Sequence, residues 1–227
     1  MKPRHLELFC GAGGTGVGFQ RAGFDVTGVD IEAHPDCPFP VIVADATQIL
    51  TETDFLRTFD SIGGGPPCQG FTSMSNRWRG HGGAADQHPD LISWVRLGME
   101  ATGLPYVIEN VTGARAALRD PILLRGGMFG LNVDRPRLFE TNFALPKPPK
   151  AHKIANPIGV YGKHHDGRRL FTRKDGSIQR AARTLEEGRA AMGIDWMCWD
   201  DLREAIPPAY SEWIGAHMMA HVLAVAA

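Results

Sequence analysis

The sequence predicts an α/β fold, a parallel sheet covered by helices on both faces and carrying a small, basic, β-rich insertion. Three observations point to it. Short apolar runs alternate with helical stretches through the first half of the 227-residue chain. Prolines cluster at residues 144–150, where neither a helix nor a sheet interior can continue. Residues 147–183 then hold ten Lys or Arg against two acids, a charge of +8 in a chain whose formal net charge is -1. Such a block is an electrostatic footprint for a polyanion, or else a solvated basic face.

The elements follow in order. HLELFC reads as the first strand, residues 15–22 as a helix, and DVTGVDI, VIVADA, FDSIGGG and YVIENV as further strands. In open sheets of this kind ligands sit beyond the carboxyl ends of the strands, so chemistry is expected at residues 10–14, 30, 45, 64–69 and 109–110. After the proline linker, the pairs Asp166-Gly167 and Asp175-Gly176 predict a three-strand meander. The pattern turns helical from Thr184, and Pro207-Pro208 opens a last apolar helix expected to pack back on the first unit. The chain thus divides into 1–143, a catalytic and cofactor-binding part, 144–183, a target-recognition part, and 184–227, the returning helices.

The bulk numbers fit one soluble domain, with 43% hydrophobic and 22% charged residues. No apolar run approaches the roughly 18 to 20 residues that span a bilayer, and MKPRHLELFC carries no signal-peptide pattern. A cytoplasmic monomer without membrane or metal partners is expected. Cys10, Cys37, Cys68 and Cys198 lack CxxC spacing and histidine neighbours, so they read as reduced thiols. Cys10 and Cys198 read as small buried hydrophobes. His217 and His221 stand one helical turn apart without a third ligand, and His164-His165 read as DNA-facing polar residues.

Four motifs carry chemistry. In LELFCGAGGTGVGF, Gly11, Gly13 and Gly16 follow a strand and open a helix, letting backbone approach a nucleotide. With Asp30 at ribose-binding distance, this motif alone suits a dinucleotide equally well. GGGPPCQGF decides against that reading, because Pro66-Pro67 restrict a strand-to-loop turn that presents Cys68 at the sheet edge beside polar Gln69. YVIENV ends in Glu109 and Asn110, where a carboxylate serves chemistry or caps a helix. DRPRLFET places Arg135 and Arg137 on one side of an extended segment.

As a set and in this order, LFCGAGG, PPCQGF, ENV and RPRLF resemble the DNA cytosine-C5 methyltransferase family, in the small form with a short recognition region that suits phage or mobile elements. The resemblance implies a Rossmann-like, S-adenosylmethionine-dependent methyltransferase sheet acting on double-stranded DNA. It implies that Phe9, Gly11, Ala12, Gly13 and Gly14 hold S-adenosylmethionine, with Asp30 on the ribose and Ile31 against the adenine. Asp45, beside Ala46, would take the adenine amino group, and Pro67 would complete the pocket. Cys68 would be the nucleophile, Glu109 the group on the cytosine N3 and N4 edge, and Arg137, helped by Arg135, the contact to O2. IPPAYSEWIG resembles the family's last motif, but Glu204-Ala205 replaces the usual Gly-Asn, and no C-terminal cofactor contact is assigned.

The target base must leave the stack to reach such a pocket. SMSNRWRGHGG suits that step: Gly80, Gly82 and Gly83 give hinge freedom, Arg77 and Arg79 grip phosphate, and Trp78 packs on a base or sugar. Gln69, Ser73, Arg168, Arg169, Arg173 and Lys174 complete the expected DNA contacts. The motifs leave a tRNA cytosine-C5 methyltransferase and a non-catalytic DNA-binding relative as alternatives.

Overall fold

The computed structural model describes residues 1–67, 91–162, 170–172 and 178–225. A seven-stranded sheet runs in the order β3-β2-β1-β4-β5-β7-β6. Its strands are β1 (Arg4–Leu8), β2 (Asp25–Asp30), β3 (Val41–Val43), β4 (Ser61–Gly64), β5 (Tyr106–Asn110), β6 (Ile122–Leu124) and β7 (Arg137–Thr141). The first five pair in parallel, and β7 is antiparallel to both β5 and β6. The five strands read from the sequence thus pair in parallel as expected, and β6 and β7 make the sheet mixed. The reversal has a use, because an antiparallel β7 begins where β5 ends and brings Arg137 to the ligand-binding edge.

Side chains of alternate strand positions fill two cores. Leu6 and Leu8 of β1, Ile62 of β4 and Ile108 of β5 face one, with Val95 and Met99 of α4 (Ile92–Thr102). Val26, Val107 and Phe139 face the other, against Phe19 of α1 (Gly14–Arg21) and Tyr210, Ile214 and Met218 of α7 (Pro208–Val225). Between α1 and α4 lie two single-turn helices, α2 (Ala46–Ile49) and α3 (Thr53–Leu56). Helix α7 does lie against α1, and the approach is close: a Cβ on Gly18 would fall 2.0 Å from Ser211 Oγ, and one on Gly215 2.8 Å from Ala22 Cβ.

The α1/α7 side of β1 also hides polar groups. His5 bonds Ser61 Oγ through Nδ1 at 2.9 Å and Glu7 Oε2 through Nε2 at 3.0 Å, all three buried. Burial pushes Glu7 up to about 8 and His5 down to about 3, so both are neutral near pH 7.

The second unit holds a three-stranded sheet of order β8-β10-β9, made of β8 (Ile158–Gly159), β9 (Leu170–Thr172) and β10 (Ile178–Ala181). Strand β10 is antiparallel to β9 but parallel to β8, so the described strands are not ordered as the expected meander; Asp166-Gly167 and Asp175-Gly176 lie outside the described residues. Then follow α5 (Leu185–Met192), capped by Thr184 Oγ1 accepting from the Glu187 N–H, and α6 (Trp199–Leu202). Val160, Ala182, Met192, Met197 and Leu202 form a third core that includes Ala12 of the first unit. No helix among the described residues is long and apolar enough to cross a membrane.

Candidate active site

The carboxyl ends of β1, β2, β4 and β5, with the start of β7, converge on one edge of the sheet. After β1 the chain turns through three left-handed residues, Phe9 (φ 56), Gly11 (φ 49) and Gly13 (φ 89), before α1 begins. A side chain at such φ values is strained, which explains the glycines. The glycines divide the work differently from the expectation. A Cβ on Gly13 would meet Cys37 Sγ at 2.8 Å and one on Gly16 the Phe39 ring at 2.3 Å, so both make room for the protein's own β2–β3 connection. Of the glycines in this motif, Gly11 is the one with no described atom within 4 Å of an added Cβ.

Asp30, at the end of β2, accepts the Gly11 N–H on Oδ2 at 2.7 Å and the Glu32 N–H on Oδ1 at 3.2 Å. Next to it Ile31 is 72% exposed, and Val43, paired in register with Asp30, is 59% exposed. Both are bare aliphatic side chains close to Asp30 in sequence or register, and Val43 was not among the sequence-derived candidates. Asp45 caps α2, accepting the Thr47 N–H and hydroxyl on Oδ1, and these bonds hold its carboxyl below the usual range. The Ala46 methyl is buried in the core, so Ala46 offers a site only its backbone.

Glu109 and Arg137 are brought together, Nε to Oε1 at 3.0 Å. The contact is close but misaligned, leaving buried Oε1 without a hydrogen-bond donor among the described residues. Burial pushes the Glu109 carboxyl up to about 7, with Arg137 and Arg135 opposing and Glu7 adding to the rise. Gly65 has no side chain for good reason, since a Cβ there would stand 3.0 Å from Glu109 Oε2.

Arg135 is near enough for its charge to act on both Glu109 and Arg137, but its own side chain is held elsewhere. It is 2% exposed, donates to the carbonyls of Val160 at 3.2 Å and Arg203 at 2.6 Å, and lies 5.8 Å above the Tyr161 ring. The geometry makes Arg135 a brace between units.

Asn110, which carried no assigned role, donates through Nδ2 to the Pro66 carbonyl at 3.1 Å and accepts the Val111 N–H at 2.9 Å. It pins the proline turn whose last described residue, Pro67, is exposed. The signal was its place directly after Glu109 at a strand end. Cys68, Gln69, Ser73, Arg77, Arg79, Arg168, Arg169, Arg173 and Lys174, together with Trp78, the glycines near it and His164-His165, lie outside the described residues. Within the basic block, Arg180 is engaged by Glu187 and is not a free cation.

Cys10 is buried, and burial with the charge of Asp30 pushes its thiol far up, which suits a core residue and not a nucleophile. Cys198 departs from expectation: it is exposed at the start of α6 and donates to Asp201 Oδ2 at 3.1 Å. His217 packs edge-on to Trp213 and His221 stacks on Phe143. The segment before α7, left without a cofactor role, packs on the glycine turn, where a Cβ on Gly14 would meet the Ile206 carbonyl at 2.5 Å.

Comparison with known proteins bears on this edge. The model of the C-5 cytosine-specific DNA methylase family matches residues 4–117, half of the chain. The chain belongs to that family. The chain is 36% identical over 226 residues to the Type II methyltransferase M1.HphI of Haemophilus parahaemolyticus, covering 82% of this chain and 60% of the relative. It is 34% identical over 129 residues to M.AquIA of Picosynechococcus sp., half of each chain. The chain thus spans about half the length of the curated relatives it matches. Among solved structures, Schizosaccharomyces pombe Dnmt2 (TM-score 0.60, 14% identity, 97% of this chain and 99% of that one) shares its fold. So does the Entamoeba histolytica methyltransferase EhMeth (TM-score 0.61, 12% identity, 98% and 99%).

Proposed function

We propose that this protein transfers a methyl group from S-adenosylmethionine to C5 of cytosine in double-stranded DNA, through a covalent adduct of Cys68. The observation that carries the reading is the Glu109–Arg137 pair, a carboxyl pushed up to about 7 with a buried oxygen that lacks a donor among the described residues, at the edge where β4 leads toward Cys68. A cytosine placed there offers what the pair lacks. Its N4 amino group donates to Glu109, its N3 accepts the Glu109 proton, and its O2 accepts from Arg137.

The glycine turn fits the cofactor. Open space at Gly11, the carboxylate of Asp30, the exposed Ile31 and Val43 and the ionised Asp45 suit a nucleoside: hydroxyls on Asp30, adenine on the aliphatic side chains, its amino group at Asp45. S-adenosylmethionine bound there supplies an electrophilic methyl group. The protein's task is to make C5 nucleophilic. The Cys68 thiolate adds to C6 while Glu109 gives its proton to N3, leaving an enamine whose C5 can accept the methyl group. Loss of the C5 proton to a base then expels the thiolate, and return of the N3 proton to Glu109 restores the neutral ring. Base extrusion costs a few kcal/mol, supplied by contacts from residues 69–79 and from Arg168, Arg169, Arg173 and Lys174, in the division of the chain at residues 143 and 183.

Bisulfite sequencing of DNA from cells expressing the protein tests the reading. Cytosines protected in a short, recurrent context with wild type, and unprotected with Cys68→Ala, are expected. Protection in tRNA alone, or none at all while the purified protein binds NAD in preference to S-adenosylmethionine, overturns it.

A further inference from the structure

We infer that Trp196 and Trp199 are paired positioning residues, joining the cofactor turn to the base of the target-recognition region through one four-residue segment. The inference rests on the reading of residues 9–14 as the cofactor turn. That turn holds three left-handed residues in five, a conformation that needs outside support. Two side-chain anchors grip adjacent residues of it. Asp30 takes the Gly11 N–H, and the Trp196 indole Nε1–H donates to the Ala12 carbonyl at 2.8 Å. The first anchor comes from the sheet, the second from across the molecule.

Three residues on, Trp199 is 7% exposed and donates its indole N–H to the Gly162 carbonyl at 3.0 Å. Gly162 (φ 76) immediately precedes the basic residues 163–169. Between the two tryptophans, Met197 is buried and its carbonyl accepts from Arg189 Nε at 2.8 Å, which ties the segment to α5. Ala12, Val160, Met197 and Trp199 share one core, and close-packed cores transmit displacement instead of absorbing it. A shift of the cofactor turn is thereby felt at Gly162, and the reverse. Cofactor and DNA affinities are then linked, each raising the other by the same factor.

The test measures binding of S-adenosylhomocysteine by calorimetry and of a cytosine-containing duplex by anisotropy, each alone and with the other present. Trp196→Phe keeps an aromatic ring and removes the donor, so it should weaken S-adenosylhomocysteine binding about fivefold, the scale of one hydrogen bond. DNA affinity without cofactor should stay, and KM for S-adenosylmethionine should rise at unchanged kcat. Trp199→Phe should show the mirror image, and in both variants the mutual enhancement should fall toward one. Benzothienylalanine at position 196 keeps the bicyclic shape and lacks only the N–H; it should reproduce the cofactor loss, and it decides the matter where the phenylalanine variant melts early. Wild-type cofactor affinity in the benzothienylalanine protein overturns the inference alone. A wild type that binds no S-adenosylhomocysteine removes the cofactor reading, and the inference with it.

Discussion

Replacing Glu109 by glutamine removes a transferable proton while keeping the size of the side chain and its ability to hydrogen-bond. With its carboxyl pushed up to about 7, about half of the Glu109 side chains carry the proton at pH 7 and roughly a tenth at pH 8. The competent fraction falls as pH rises through 7, so wild-type kcat should drop about tenfold per unit on the alkaline side. Glu109→Gln should lie about two to four decades lower and lose that alkaline fall, since its amide does not titrate. The Arg137 contact is misaligned and partly exposed, so little binding energy is lost with the charge, and DNA affinity should change far less than turnover. The assay is transfer of tritiated methyl groups into duplex DNA from pH 5.5 to 9 at saturating substrates. Unchanged turnover, or the same alkaline fall in the glutamine enzyme, would refute the acid role and leave Glu109 a structural residue.

Asn110→Ala releases the Pro66 carbonyl and should lower kcat at least tenfold with cofactor affinity unchanged; equal loss of both by calorimetry and kinetics would speak for misfolding. Asp30→Ala should weaken S-adenosylmethionine binding about tenfold or more, the scale of charge-assisted hydrogen bonds, with DNA binding intact. Stability should fall as pH rises from 6.5 to 8: folded Glu7 and Glu109 keep protons that the unfolded chain has released above 4.5, each contributing up to about 1.4 kcal/mol per unit. His5, held down to about 3, acts in the opposite direction only below 6.5, so thermal melts of Glu7→Gln should be flatter above that pH. Arg168→Ala with Arg169→Ala should relax the methylated context or lower methylation everywhere, with a reduced salt dependence of DNA binding; a protein indistinguishable from wild type would place the reader elsewhere.

The strands leading to the site were legible because each is a short apolar run closed by glycine, proline or an acid, a local signal. That Glu109 and Arg137 serve one base was implied by the family resemblance, not by a local signal. The reversal of β7 and the β8-β10-β9 order were not legible, since pairing is decided by partners distant in sequence. His5 and Glu7 show the limit in another form: polar residues at alternate strand positions look like a solvent face, yet they bond Ser61 and each other inside the core. The bracing of Arg135 was not legible either, because the carbonyls that hold it belong to residues 160 and 203, far along the chain. Trp196 carried no signal, its partner Ala12 being 184 residues away.

The most direct test of the central claim is covalent trapping on a duplex in which 5-fluorocytosine replaces the target cytosine, with S-adenosylmethionine present. Fluorine at C5 cannot leave as a proton does, so the step that expels the thiolate is blocked. A complex that survives denaturation, with mass spectrometry placing the methylated, fluorinated base on the peptide containing Cys68, is the result expected. No adduct in an otherwise folded, cofactor-binding wild-type protein, or an adduct that persists in Cys68→Ala, would contradict the account.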